Sequence, residues 1–196
     1  TLVEGNVNGF EVSNSDDILL AHNEARNNSV GAAILLLPDI FDDRPGAKRI
    51  DMRNNWIHHN NKENTARPGS ILASIPAGSG ILYVGVDEST IANNRVENND
   101  FGGIALVDYC LIVSGTPFSC ELDSDVSPEF VEDQSATNNT VRENTLVDNG
   151  TNPDPDSPFA GLAADLILVS VGGGHCYEDN TFATYLSLLG ILPPCP

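Results

Sequence analysis

IANNRVENN, residues 91–99, is one copy of the nine-residue unit that decides how this chain folds. The unit reads apolar-x-x-Asn-x-apolar-x-x-Asn. Complete copies also occur at residues 20–28, 52–60 and 141–149. A partial copy, YEDNTF, begins at Tyr177. VEGN, which begins at Val3, matches part of a sixth copy. Four fixed positions in four copies indicate a repeat protein, in which each unit buries its apolar face against the next.

A short apolar segment precedes each copy and sets the length of the repeat. These segments read GFEV, AILL, GILY, GIAL and DLIL, around Phe10, Ile34, Ile81, Ile104 and Leu166. Phe10 and Ile34 lie 24 residues apart, and Ile81 and Ile104 lie 23 apart. The apolar positions never follow helical spacing. Short strands at this period predict an all-β fold, a right-handed parallel β-helix of about five coils, with neighbouring coils about 4.8 Å apart.

Longer gaps between the copies predict loop insertions. They cover residues 38–49, 62–79, 108–136 and 151–161. We expect residues 1–196 to form a single β-helix domain that belongs to a longer precursor, with residues 176–196 as a disulfide-tied C-terminal cap.

The repeated Asn residues form two columns when the copies are stacked. The fourth repeat position gives Asn23, Asn55, Asn94, Asn144 and Asn180, and the ninth gives Asn28, Asn60, Asn99 and Asn149. Asn tolerates the left-handed or turn conformation that a corner between strands needs, so we expect one of these conformations at these residues. Amide side chains in register also satisfy one another. We therefore interpret both columns as structural ladders and not as ligand sites.

The charge balance narrows the range of partners. The chain has 9 Lys and Arg against 28 Asp and Glu, a net charge of -19. Such a protein repels nucleic acid and anionic bilayers. A solvated acidic surface is the plainest interpretation, with divalent-cation binding and adaptation to a salty medium as alternatives. No apolar run has the length of a membrane span.

Four cysteines fall into two pairs that are close in sequence, Cys110 with Cys120 and Cys176 with Cys195. This arrangement predicts two local disulfides, with buried free thiols as the alternative. Disulfides persist in oxidising compartments, so we expect an extracellular or periplasmic protein.

The motifs resemble those of the right-handed parallel β-helix repeat family. RNNWIHHNN from Arg53, GSILASIPAGSGILYVG from Gly69, NNRVENND from Asn93 and GGIALVDY from Gly102 carry the resemblance. Together they cover most of the chain and are most similar to uncharacterised bacterial parallel β-helix domain-containing proteins of the pectate-lyase-like superfamily. The resemblance implies the fold, and it places polysaccharide lyases and epimerases among the functions to consider.

Outward columns of the stack are the places where a β-helix can present chemistry. The seventh repeat position gives Arg26, His58, Glu97, Val147 and Ala183, and the third gives His22, Asn54, Asn93, Glu143 and Asp179. A lyase or epimerase needs a base to remove a proton and a cation to neutralise the neighbouring carboxylate. Arg26, His58 and Glu97, with His59 beside them, are our candidate catalytic residues. A polar, solvated surface is the alternative.

Calcium is the one cofactor that we consider, since Asp-rich, Pro-restricted loops supply hard oxygen ligands. Asp39, Asp42 and Asp43 are weak candidates, and Asp154 and Asp156 form a second group. Their spacing matches no established calcium loop. His175 stands alone between a glycine turn and Cys176, and we interpret it as structural.

An apolar stripe runs along the outer side of the first strand of each coil. It consists of Glu11, Leu35, Leu82, Ala105 and Ile167, of which four are apolar. Either the long loops or the C-terminal YLSLLGIL segment cover the stripe, or another protomer does. The first coil, at TLVEGN, has no cap in this sequence, so we expect either that preceding coils have been lost or that another chain docks there.

Two hypotheses about function follow. The first is a secreted or periplasmic β-helix that serves as a structural or binding module, whose partner is a second copy of itself or an extracellular polysaccharide. The second is a carbohydrate-active enzyme, a polysaccharide lyase or epimerase, that uses the column of Arg26, His58 and Glu97.

Overall fold

The computed structural model describes residues 1–37, 46–113 and 134–196, and they form three parallel sheets. Sheet I contains β2 (Asn8–Ser13), β5 (Val30–Leu35), β8 (Ser79–Val84), β11 (Gly102–Val107), β14 (Ala164–Val169) and β16 (Tyr185–Ser187). Sheet II contains β3 (Leu19–Ala21), β6 (Asp51–Arg53), β9 (Thr90–Ala92), β12 (Thr140–Arg142) and β15 (Cys176–Glu178). Sheet III contains β1 (Leu2–Glu4), β4 (Glu24–Arg26), β7 (Trp56–His58), β10 (Arg95–Glu97) and β13 (Thr145–Val147).

The chain visits the sheets in the fixed order I, II, III and pairs each strand with its equivalent in the next coil. The residue before each nine-residue unit and the first two residues of the unit form a strand of sheet II, and the fifth to seventh residues form a strand of sheet III. This confirms the prediction of a parallel β-helix of about five coils.

The strand register differs from the sequence alignment in one coil. Phe10 pairs with Ala32 and not with Ile34, and Ala32 pairs in turn with Ile81. The first period is therefore 22 residues. Residues 32–37 are all apolar, so hydrophobicity does not distinguish pairing of Phe10 with Ala32 from pairing with Ile34. A shift of two residues keeps every side chain on the same face of a strand, so the inward and outward assignment still holds.

The interior of the solenoid is a single apolar stack. Ile34, Tyr83, Leu106 and Leu168 come from sheet I, and Met52, Ile57, Ile91 and Val96 face them from the other two sheets. Each of these residues packs against its equivalents one coil above and below. The core therefore depends on repetition rather than on one central cluster.

A second apolar layer lies on the outer side of sheet I and covers the predicted stripe. Short helices α1 (Ile71–Ser74) and α2 (Tyr109–Val113) and a 3₁₀ helix (Ala160–Leu162) come from the insertions. Members of this layer include Ile71, Tyr109 and Phe159, which are buried together with Leu82 and Ile167. The expectation that loops cover the stripe is correct, and the stripe does not offer the exposed surface that assembly through it requires.

The details of the stripe need two corrections. Its member from β5 is Ala33, because Ala33 pairs with both Glu11 and Leu82. The C-terminal segment covers little of it, since Leu186 packs there but Leu188 and Ile191 are exposed. The covering side chains come from loops that the repeat pattern does not describe.

Both Asn ladders are present, and every internal rung makes the same contacts. The Oδ1 atom of Asn94 accepts hydrogen bonds from the backbone N and the Nδ2 atom of Asn55, at 3.0 Å each. Its Nδ2 atom donates to the carbonyl of Met52 and to Oδ1 of Asn144. Both polar atoms of the amide are thereby satisfied inside the core.

The second ladder extends one rung further at each end than the predicted column. Asn6 donates its backbone N–H to Asn28, so VEGN supplies positions six to nine of a unit. At the other end Oδ1 of Asp165 accepts from Asn149, while Oδ2 accepts the backbone N–H groups of Ala183 and Thr184. A carboxylate suits this last rung because only donors surround it.

The left-handed conformation falls on the residues before the ladder positions and not on the ladder Asn residues themselves. Among the described residues none of the ladder Asn residues has a positive φ. The third and eighth repeat positions do, with φ between 51° and 58°: His22, Asn54, Asn93, Glu143, Asp179, Asn27, His59, Asn98 and Asp148. The turn is made one residue early, and the following Asn then points its amide inward.

The C-terminal segment is attached to the last coil by a disulfide. Cys176 and Cys195 are bonded, as the sequence predicts, and the N–H of Tyr177 donates to the carbonyl of Pro193. Leu192 packs against the core. The predicted pairing of Cys110 with Cys120 involves a residue outside the described part of the chain. A disulfide is compatible with an extracellular or periplasmic protein, and no helix among the described residues is long and apolar enough to cross a bilayer.

Replacing both Cys176 and Cys195 by Ser is expected to lower the free energy of unfolding by about 3 kcal/mol, because the cross-link closes a loop with a separation of 19 residues. Urea unfolding followed by circular dichroism measures this loss. Limited proteolysis reports the local effect, since the exposed Leu188 and Leu189 belong to the released segment. An unchanged unfolding midpoint together with unchanged cleavage would show that the cap is held without the disulfide.

Candidate functional site

The outer face of sheet III brings the predicted catalytic column together. Arg26 pairs with His58, and His58 pairs with Glu97, on three successive strands. Val147 continues the column on β13. Ala183 lies in no strand, and its N–H donates to Oδ2 of Asp165. The seventh repeat position points outward because the sixth, which includes Ile57 and Val96, faces the core.

Trp56 is the centre of this face, although it belongs to neither of the two outward columns singled out from the sequence. Its ring stacks on that of His58, with the ring centroids 4.0 Å apart and the planes at 20°. Its Nε1 atom donates to Oε1 of Glu97 at 2.9 Å, and the guanidinium carbon of Arg95 lies 5.9 Å from the ring centroid. Trp56 is nevertheless 41% exposed. The signal was present in the sequence, because the only Trp of the chain occupies an outward repeat position.

Both nitrogen atoms of His58 are engaged. Nε2 lies 3.2 Å from Oε1 of Glu24, and Nδ1 lies 3.0 Å from Nδ1 of His59. The neighbouring Arg26 is paired with Glu24 at 3.3 Å and with Glu4 at 3.0 Å. The column is thus a fixed network in which His58 is buried beneath the rings and carboxylates around it.

Glu97 is held as a carboxylate. Burial by itself raises its pKa, but hydrogen bonds from Arg95 and Trp56 and the charges of Arg95 and His58 outweigh this effect, so the pKa lies below its ordinary value. Oε2 accepts from Arg95 at 2.7 Å. A carboxylate with a lowered pKa and both oxygens occupied is a weak general base, and it fixes the indole ring in place.

A groove of about 660 Å³ runs beside this network along the corner between sheets II and III. Its lining includes Glu24, Trp56 and Arg95 from sheet III and the third-position residues His22, Asn54 and Asn93 from the corner. It crosses four successive strands of sheet III, from Leu2 on β1 to Arg95 on β10, and so follows the solenoid axis. Further along the same column, Glu143 accepts a hydrogen bond from Asn93 and pairs with Arg142. The groove combines one exposed aromatic ring with amides, a guanidinium and a carboxylate.

Asp154, Asp156 and His175 are not among the residues that line this groove. Asp39, Asp42 and Asp43 are outside the described residues. Asp154 accepts the backbone N–H of Asp156, which is a local turn contact. Among the residues that the structure describes, no three His, Cys, Asp or Glu side chains are placed to hold a metal ion.

His175 occupies a ladder-like position at a third corner. Its Nδ1 atom accepts the N–H of Asn139 at 3.4 Å, while Oδ1 of Asn139 accepts the N–H of Ser89. Burial lowers the pKa of the imidazole below its ordinary value. These contacts support the structural interpretation of His175.

The stacked parallel sheets establish the β-helix architecture. The resemblance to the pectate-lyase-like superfamily, which rests on the sequence motifs, stays a prediction. No protein-family model, curated protein or solved structure matches this chain.

Proposed function

We propose that this protein is an extracellular or periplasmic polysaccharide-binding module whose ligand lies in the groove beside Trp56. The observation that carries the proposal is the exposed indole ring, held by His58 and Glu97 at the wall of an open groove. Pyranose rings have an apolar C–H face and a polar edge. An aromatic ring with neighbouring amides and charged groups complements both.

Binding fits the arrangement better than proton abstraction does. The nitrogens of His58 and the oxygens of Glu97 are used within the protein, and the lowered pKa of Glu97 weakens it as a base. A binding site gains from this rigidity because a preorganised wall loses little entropy when a ligand arrives. A lyase or epimerase would require His58 or Glu97 to leave its hydrogen-bond partners within the protein.

Trp56→Ala is expected to weaken polysaccharide binding at least about tenfold, since it removes the main stacking surface of the groove. The probes are dextran, xylan, hydroxyethyl cellulose and alginate, tested by affinity electrophoresis. A bound glycan also shields Trp56 from acrylamide, and the fluorescence of the wild-type protein reports this directly because the chain has one Trp.

Tyr185→Ala is the matched control, since Tyr185 is a similarly exposed aromatic residue on the last strand of sheet I. It should retain full binding. Retention of none of the four glycans, or equal retention of the Trp56 variant, would contradict the proposal. Release of an unsaturated uronate from alginate that disappears in His58→Ala would instead favour the lyase.

A further inference from the structure

A second groove lies on the outer face of sheet II, where the second repeat position forms a further outward column. Arg53 pairs with Ala92, and Ala92 pairs with Arg142, on three successive strands. The groove has a volume of about 420 Å³, and Arg49 joins Arg53 and Arg142 in its lining. Three of the nine basic residues of this acidic chain therefore line one groove, together with the acidic Asp51 and Glu88.

Ala92 forms the floor of a notch between the two arginines. It faces outward on β9 but is only 3% exposed. The residues directly above and below it are the long Arg53 and Arg142 side chains, each of which is partly exposed. Ala92 and both arginines line the same groove, so the notch belongs to that groove.

The guanidinium groups keep hydrogen-bonding capacity. Nε of Arg53 lies 3.4 Å from Asp51, and NH1 of Arg142 lies 2.6 Å from Glu143. Each of these ion pairs engages one of the three guanidinium nitrogens. Arg49, by contrast, is bonded to both Asp16 and Asp17. Two guanidinium forks that flank one position are suited to an oxyanion, because charge-assisted bidentate bonds are the strongest that Arg makes.

We infer that the notch over Ala92 binds an oxyanion, a carboxylate or a sulfate ester, carried by the glycan that occupies the groove at Trp56. This inference rests on the proposed function. The two grooves adjoin, because Asn54 and Asn93 line both of them. A glycan on Trp56 thus reaches the notch with a substituent that crosses the corner between sheets III and II.

Dextran, carboxymethyl dextran and dextran sulfate of equal length test the inference, because they differ only in the charged group. At fixed ionic strength, at least one charged form should bind tenfold or more tightly than dextran in titration calorimetry. The combined Arg53→Gln and Arg142→Gln variant should lose this preference. Ala92→Leu should lose it too, since it fills the notch and leaves both arginines in place. Unfolding curves verify that the variants are folded.

Arg67→Gln is the matched control, because it removes one charge from an exposed residue that lines neither groove. Its preference for charged dextran over dextran should equal that of the wild type. Charged dextrans that bind no more tightly than dextran, or a double variant that keeps the preference, would overturn the anion site. The wild type could bind charged dextrans more tightly than dextran while Trp56→Ala leaves the affinity for every dextran unchanged. That result would overturn the proposed glycan groove and leave the anion site standing. The comparison of carboxymethyl dextran with dextran sulfate identifies whether the site prefers a carboxylate or a sulfate ester.

Discussion

Asn99→Ala is expected to lower the free energy of unfolding by about 4 kcal/mol, one of the largest effects that a single truncation of this chain produces. Asn99 is fully buried at the centre of the second ladder. Its Oδ1 atom accepts from the backbone and side chain of Asn60, and its Nδ2 atom donates to Ile57 and Asn149. Ala leaves all four partners without this contact inside the core, where water does not replace it.

Asn61→Ala is the control for this prediction. Asn61 also links two coils, since it accepts the N–H of Asp100 and donates to the carbonyl of Asn98, but it is exposed. Water takes over these contacts, so we expect a loss of at most about 1 kcal/mol. Urea unfolding followed by circular dichroism compares the two variants. Equal losses would mean that burial of the ladder does not set its contribution.

Gly31→Ala is expected to destabilise the protein by about 3 kcal/mol through overpacking. A Cβ atom at Gly31 would lie 2.6 Å from the carbonyl oxygen of Gly80 and 2.3 Å from Cγ2 of Ile57. The first contact is with the backbone of the next coil, which cannot yield without separating two paired strands. Gly9, Gly31, Gly80 and Gly103 form one column, and each would meet the next coil in this way.

Gly173→Ala tests whether the loss comes from crowding rather than from the change of residue type. No heavy atom lies within 4 Å of a Cβ built at Gly173, and its φ is not in the left-handed region. The midpoint of thermal unfolding should therefore stay within a few degrees of the wild type, while that of Gly31→Ala falls clearly. A similar fall in both variants would contradict the overpacking argument.

The repeat made part of the site predictable. Arg26, His58 and Glu97 were placed on one column because they share a repeat position, and they do lie on neighbouring strands. The role of this column was harder to predict. The partners that occupy His58 and weaken Glu97 as a base come from other repeat positions and from preceding coils, as with Glu24 and Trp56.

Residues outside the chosen columns were missed for the same reason. Trp56 occupies a position held by Glu24, Arg95 and Thr145 in the other coils, so that position shows no common chemistry. Arg53 and Arg142 are separated by Ala92 in their column and by many residues in sequence. Their significance appears only when side chains of three different coils are seen around one groove.

The sequence by itself determined the coil, the order of the strands and both Asn ladders. Each ladder Asn contacts the residue at the same position in the next coil. The repeat along the chain therefore predicts which residues touch. Only the tertiary structure decided the register of β5, the left-handed residues before each ladder Asn and the covering of sheet I by Ile71, Tyr109 and Phe159. Only it showed the groove at Trp56 and the notch over Ala92. Those features depend on contacts between unlike residues from different coils and insertions, which no single repeat contains.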